Sequence, residues 1–173
     1  MRHAQVKVYK FSELSADAKE RAKSDHAAAL GYAWDDEAID SLKALAVHFG
    51  GKVSDYEIDF WQTRPSHASF DMPELDEADI RAKLAELGSY DQKTLKGHGD
   101  CKLTGYCADE DAIDGFRAAF RKGESDLTAL MDEAFDSWLK AAQADCEYQY
   151  SDEAFAEHCE ANNYEFDESG EMV

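Results

Sequence analysis

From about Asp126 to Cys146, apolar residues recur at intervals of three and four: Leu127, Leu130, Met131, Ala134, Phe135, Trp138, Leu139, Ala142 and Cys146. That spacing lays them along one broad helical stripe, with Asp132, Glu133, Asp136, Lys140, Gln143 and Glu147 on the remaining surface. A stripe this wide has to be covered, so the fold must be built around one long helix that anchors the core. The chain has 173 residues, 44% hydrophobic and 12% aromatic. It is therefore long enough to bury a core without disulfide staples and too apolar for a disordered acidic tail, and it reads as a single domain over residues 1–173.

The other elements follow from local signals. "VKVYKF", Val6 to Phe11, alternates apolar and polar positions and predicts a short first strand. "SELSADAKERAKSDHAAAL" offers Ser12 or Ser15 as N-cap of a first helix ending at Gly31. In "DDEAIDSLKALAVHFGG", Ile39, Leu42, Leu45, Ala46 and Phe49 recur at helical spacing behind an acidic first turn that suits the helix dipole. "KVSDYEIDFWQ" changes to a period of two, with Tyr56, Ile58 and Phe60 on one face, and "SHASFDM" pairs with it across "TRP" as a hairpin. Ile80, Leu84 and Leu87 set the inner face of a third helix stopped by Gly88. The weakly periodic "SYDQKTLKGHGDCKLTGYCADED" is either a functional loop or irregular packing around a short "CKLTGY" strand. "DEDAIDGFRAAF" gives a fourth helix ending near Gly123; the long helix follows, and Ser151 caps a last helix closed by Asn162 or Asn163. "YEF" reads as a short strand, "DESG" as a turn, and "EMV" as a returning strand or a frayed end. Together these predict an α+β fold, a small antiparallel sheet with about five to six helices packed mainly on one face.

The formal net charge is −20, where solubility of a small domain asks for a magnitude of only about 2 to 8. The excess is lopsided: residues 124–173 hold 15 Asp and Glu against the lone Lys140, while residues 1–123 hold 23 against 17 basic residues. Such a field repels nucleic acid and anionic membranes and attracts basic surfaces. Like charges at helical spacing, as in Asp132 with Asp136, Glu153 with Glu157 and Glu157 with Glu160, cost about a few tenths of a kcal/mol per pair. The plain alternative is a solvated helix surface, but almost no basic residue compensates these acids. Four helical residues advance about 6 Å, a spacing comparable in scale to that of phosphates along a strand. Acids on packed helices can thus present an array that a basic nucleic-acid groove accepts as a backbone. The partner-binding residues singled out are Asp132, Glu133, Asp136, Glu147, Asp152, Glu153, Glu157 and Glu160, with Tyr148 and Tyr150 as aromatic anchors if they are not taken up by the core.

His98, Cys101 and Cys107 share one short loop, and His158 with Cys159 could complete a metal site. Their spacings do not match paired two-residue knuckles, and adjacent His158 and Cys159 rarely reach one ion, so the expectation is buried or half-buried thiols and no metal or cofactor. No nucleophile elbow, zinc-protease, phosphate-loop or dinucleotide-binding motif is present, and the chain is expected to act without catalysis. No apolar run approaches the ~20 residues of a membrane span, and the start "RHAQVKVYKF" is unlike a signal-peptide core, which reads as cytosolic.

"KVYKFSELSADAKERA", "GYAWDDEAIDSLKALAVHFG", "LTGYCAD" and "QYSDEAFAEHCEANNYEFDESG", which together cover most of the chain, resemble a family of small acidic proteins of bacteriophages and prophages, often labelled antitoxins of toxin–antitoxin systems. The resemblance implies a mobile-element setting in the cytoplasm of a bacterial host, where small acidic proteins often inhibit defence, including anti-restriction and anti-CRISPR proteins that imitate DNA. Charge and setting together lead to an expected partner: the basic nucleic-acid-binding surface of a defence nuclease or CRISPR effector, engaged by protein–protein contact. Two other readings stand beside it, an antitoxin that neutralises a basic toxin and a metal protein or enzyme centred on the Cys and His residues.

Overall fold

The computed structural model describes residues 7–30, 35–60, 63–90 and 97–173, whose contacts gather into two compact units: residues 1–33 with 145–173, and residues 34–144. The fold is α+β, with six α-helices and two antiparallel strand pairs among the described residues. Trp34 and Trp61, two of the predicted core aromatics, lie outside them, as do Val6 and Gly31.

In chain order the helices are α1 (Ala16–Leu30), α2 (Asp35–His48), α3 (Glu77–Glu86), α4 (Ala108–Arg121), α5 (Leu127–Gln149) and α6 (Asp152–Ala161). The unit of residues 34–144 thus holds α2, α3, α4 and α5 as far as Ala144. The predicted inner face of α2 is realised: Ile39, Leu42, Leu45, Ala46 and Phe49 are buried, and Phe49 stacks on Phe116 of α4 at 4.4 Å. The C-terminal turn of α2 is tied to α3 by a reciprocal pair, Lys83 Nζ donating to the His48 carbonyl at 2.7 Å while the His48 ring meets the Lys83 carbonyl at 2.9 Å. Gly115 lets α4 and α5 touch, since a Cβ there would lie 2.7 Å from the Glu133 carbonyl and 2.5 Å from Ser137 Cβ. The apolar stripe of α5 is the predicted one: Leu127, Leu130, Met131, Ala134, Phe135, Trp138 and Cys146 are buried, and Leu139 and Ala142 half-buried.

The hairpin is present, β1 (Lys52–Glu57) pairing antiparallel with β2 (His67–Asp71), Val53 opposite Phe70 and Tyr56 opposite Ala68. It is shorter than the period-two pattern predicts. The strand stops at Glu57 because Asp59 folds the chain back, its carboxylate accepting from Arg64 N at 2.8 Å and from the Thr63 hydroxyl, while its own amide donates to Ser66 Oγ at 2.8 Å. Tyr56 is consequently exposed and Phe60 is buried beyond the strand. A second pair, β3 (Gly88–Tyr90) with β4 (Gly97–Gly99), makes Gly88 the start of a strand as well as the end of a helix.

In the unit of residues 1–33 with 145–173, the predicted first strand is reduced to a bridge. Tyr9 exchanges both backbone bonds with Phe166, at 2.8 and 2.9 Å, and Phe11 turns inward through a 3-10 turn, Phe11–Glu13. The returning "EMV" is real, since Met172 bridges Phe166 on its other side. Ser15, not Ser12, caps α1, accepting from Ala18 N at 3.3 Å, and Ser151 caps α6, accepting from Ala154 N at 3.1 Å. The core is Phe11, Leu14, Ala18, Ala22, Phe155, Cys159 and Phe166, with Phe11 edge-on to Phe155 at 4.7 Å. Gly170 has φ +89 and sits where a Cβ would be 2.1 Å from the Ala18 carbonyl oxygen, so only glycine fits.

His26 of α1 packs in this unit 4.9 Å from Phe155, 5.0 Å from His158 and 6.4 Å from Tyr164, ring to ring. Burial, reinforced by the neighbouring His158, holds its pKa below the usual imidazole value. The fold therefore prefers neutral His26, and the stability this gives is present above the unfolded value of about 6.5 and is lost as pH falls through it toward the lower folded value. Acidification also relieves the chain's overall negative self-repulsion, so the informative quantity is the difference between variants. His26→Phe should lose less stability than the parent as pH falls below about 6.5, measured by urea denaturation across that range; parallel curves would show that His26 protonation does not matter.

Candidate functional site

The acids singled out by sequence fall on two helices. On α5, within the unit of residues 34–144, Asp132, Glu133 and Asp136 are exposed. The helix start is organised by other carboxylates: Asp126 Oδ1 accepts from Ala129 N at 2.9 Å, and Glu124 Oε1 accepts from Ser125 N and Asp126 N at 2.8 and 2.9 Å. That leaves Asp132, Glu133 and Asp136 with no capping duty. Among the described residues, no Lys, Arg or His forms an ion pair with any of the three. The pKa of Asp132 is raised, first by desolvation and then by the charges of Asp136, Asp126 and Glu133. This face repels itself, and a cation brought to it would be stabilised.

In the unit of residues 1–33 with 145–173, Glu147, Tyr148, Asp152, Glu153, Glu157 and Glu160 are exposed and Tyr150 is half-buried. Their environments differ. Asp152 is tied to α1 by an ion pair with Lys23 Nζ, so it serves α1–α6 packing as well as the surface. The Tyr148 hydroxyl donates to Glu157 Oε2 at 3.3 Å, and that carboxylate raises the Tyr148 pKa, with desolvation and Glu153 adding to it. Glu147, Glu153 and Glu160 form no ion pair among the described residues. Asp152 and Glu153 sit in the first turn of α6, where the dipole favours them, whereas Glu157 and Glu160 sit in its later half, where it does not. Two of the acids are thus held where the local helix gains nothing from them.

The Cys and His residues singled out by sequence are divided between the two units. Cys101 and Cys107 are exposed in one unit, while buried Cys159 and exposed His158 belong to the other. The side chain of His98 lies outside the described residues, and among those described no three His, Cys, Asp or Glu groups could hold a metal ion. Two of the thiols, Cys101 and Cys159, are harder to ionise than an ordinary cysteine. Burial pushes Cys159 up to about 11, and desolvation followed by the Asp109 carboxylate raises Cys101.

Sequence reading missed Asp109. The "CKLTGY" segment is not a strand: its backbone wraps this one buried carboxylate at the start of α4. Asp109 Oδ2 accepts from Leu103 N, Thr104 N and Gly105 N at 3.0, 2.8 and 3.2 Å, and Oδ1 accepts from the Thr104 hydroxyl at 2.8 Å. The available signal was an Asp in the first turn of a helix directly after a Gly-containing polar loop, a pattern typical of side-chain–backbone capture.

Among the described residues, no helix is long and apolar enough to cross a membrane. No family model, no curated protein and no solved structure matches the chain.

Proposed function

We propose that the chain is a phage- or prophage-encoded inhibitor of a bacterial defence system, of the anti-CRISPR or anti-restriction kind. It acts without catalysis, by presenting acidic helix faces to the basic nucleic-acid-binding surface of a defence nuclease or CRISPR effector. The observation that carries this reading is the set of exposed, cation-free carboxylates on α5 (Asp132, Glu133, Asp136) and on α6 (Glu153, Glu157, Glu160), kept despite mutual repulsion and, for the last two, against the helix dipole. Each face offers fixed negative charge of the kind a phosphate-binding groove accepts.

The test begins with nucleases retained from bacterial lysate on the immobilised chain at low salt, each then purified and assayed for cleavage with the chain added. Inhibition near one chain per nuclease, relieved by excess target DNA and weakened at least about tenfold by a several-fold rise in salt, is the expected result. Inhibition that ignores competing DNA would remove the mimicry. Rescue of cells from a small basic toxin, with no effect on any nuclease, would replace it with the antitoxin reading.

A further inference from the structure

Next to Glu160, the unit of residues 1–33 with 145–173 has a cavity of about 340 Å³, lined among others by Lys10, Phe11, Ala156, Cys159, Glu160 and Tyr164. That volume lies at the lower end of the roughly 300 to 1,000 Å³ typical of ligand cavities, suited to one long side chain rather than a large cofactor. Its lining is mixed, an apolar wall beside polar Ser12, Asn163 and Glu160. Phe11, Ala156 and Cys159 give an apolar wall, and the buried thiol of Cys159 stays protonated, so it adds no charge there. Tyr164 and Phe11 add aromatic rings, and Phe11 already carries a cation, Lys19 Nζ at 5.6 Å from its centroid. The cavity lies at the C-terminal end of α6, where Asn163 turns the chain with φ 55 and Tyr164 N donates to the Cys159 carbonyl at 2.9 Å, so the negative end of the helix dipole faces this region. Glu160 adds a full charge. Among the described lining residues the cation is Lys10, which is offset by Glu165 at 3.6 Å.

Resting on the function proposed above, we propose that this cavity receives an arginine side chain of the basic partner, its stem along Phe11, Ala156 and Tyr164 and its guanidinium toward Glu160. A cavity that combines an apolar wall, a carboxylate, a helix C-terminus and aromatic rings is complementary to that side chain in chemistry and charge. The acidic face of α6 thereby gains a point of register that a charge field alone lacks, and a residue seated in a pocket is where binding energy concentrates.

The test needs no defence protein, so its failure and that of the function reading are separable. The isotope-labelled full chain is titrated with N-acetyl-arginine-N-methylamide, followed by amide shifts, with the corresponding norleucine and glutamate amides and free arginine as comparisons. Saturable shifts confined to the amides of residues around Phe11, Ala156, Cys159, Glu160 and Tyr164, seen with the arginine amide and weakened about three- to fivefold by Glu160→Gln, support the proposal. Equal response to norleucine, scattered shifts over all acidic surfaces, or indifference to Glu160→Gln overturn it. Markedly tighter binding of free arginine than of the capped amide would assign the cavity to a small molecule instead and equally overturn it.

Discussion

Reversing Asp132, Glu133 and Asp136 to lysine, or separately Glu153, Glu157 and Glu160, should weaken binding to the inhibited nuclease by about 100-fold or more for each triple variant. The size follows from about 1 kcal/mol per charge contact at a partly desolvated interface, with the new lysines adding repulsion, so three positions give on the order of 3 kcal/mol. Stability should separate the two variants. All six side chains are exposed and none forms an ion pair among the described residues, and in the α5 variant two of the charges that raise the Asp132 pKa, those of Asp136 and Glu133, are gone, so its circular dichroism and thermal midpoint should match or exceed those of the parent. The α6 variant gives up the dipole-favoured Glu153 of the first turn and the Tyr148 bond to Glu157, so it should keep its circular dichroism with a slightly lower thermal midpoint. Asp152→Lys serves as the contrast: it breaks the ion pair with Lys23 between α1 and α6, so it should cost stability as well as binding. A folded triple variant that inhibits as well as the parent would end the mimicry reading for that face.

The helices were legible because their causes are local. The stripe from Leu127 to Cys146 reports a buried face directly, and Ser151 declares a helix start through a bond three residues away. Asp76 and Asp126 cap in the same way. The strands were less legible because side chains competed with the ladder for the backbone. Asp59 ended β1 early, Glu13 turned the chain at Lys10 by accepting from its amide at 2.8 Å, and Asp109 drew the "CKLTGY" amides to itself. A period-two pattern in the sequence cannot reveal that its amides are already taken. The same division holds for the surface. The acidic excess was plain in the composition, but which acids are engaged was not, since Lys23 and Asp152 lie 129 residues apart and the Tyr148 to Glu157 bond depends on how α5 and α6 turn.

Asp109 is the polar position where a substitution should cost heavily. Its side chain is fully buried and accepts from three backbone amides and one hydroxyl. Because the Thr104 proton goes to Asp109, Thr104 Oγ1 is free to accept from Tyr106 N at 3.2 Å and from the buried Ser41 hydroxyl at 3.4 Å, which links the loop to α2. Asp109→Ala removes the acceptor from four donors at once. Each hydrogen bond to a charged group contributes about 1.5–3 kcal/mol, but Thr104 and Gly105 are exposed enough for water to replace part of the loss. The expected destabilisation is therefore about 3–4 kcal/mol rather than the full sum, read by urea denaturation, with hydrogen exchange at Leu103, Thr104 and Gly105 accelerated ahead of the α4 core. Asp109→Asn keeps one carbonyl oxygen for the amides and sets an NH2 where Oδ1 had accepted from Thr104, so it should recover roughly half of the loss. It also removes the charge that helps raise the Cys101 thiol, so Cys101 should react faster with a disulfide reagent in Asp109→Asn than in the parent at the same pH. An Asp109→Ala variant within about 0.5 kcal/mol of the parent would mean that the loop is held by its own packing and that the carboxylate merely occupies the space the loop encloses.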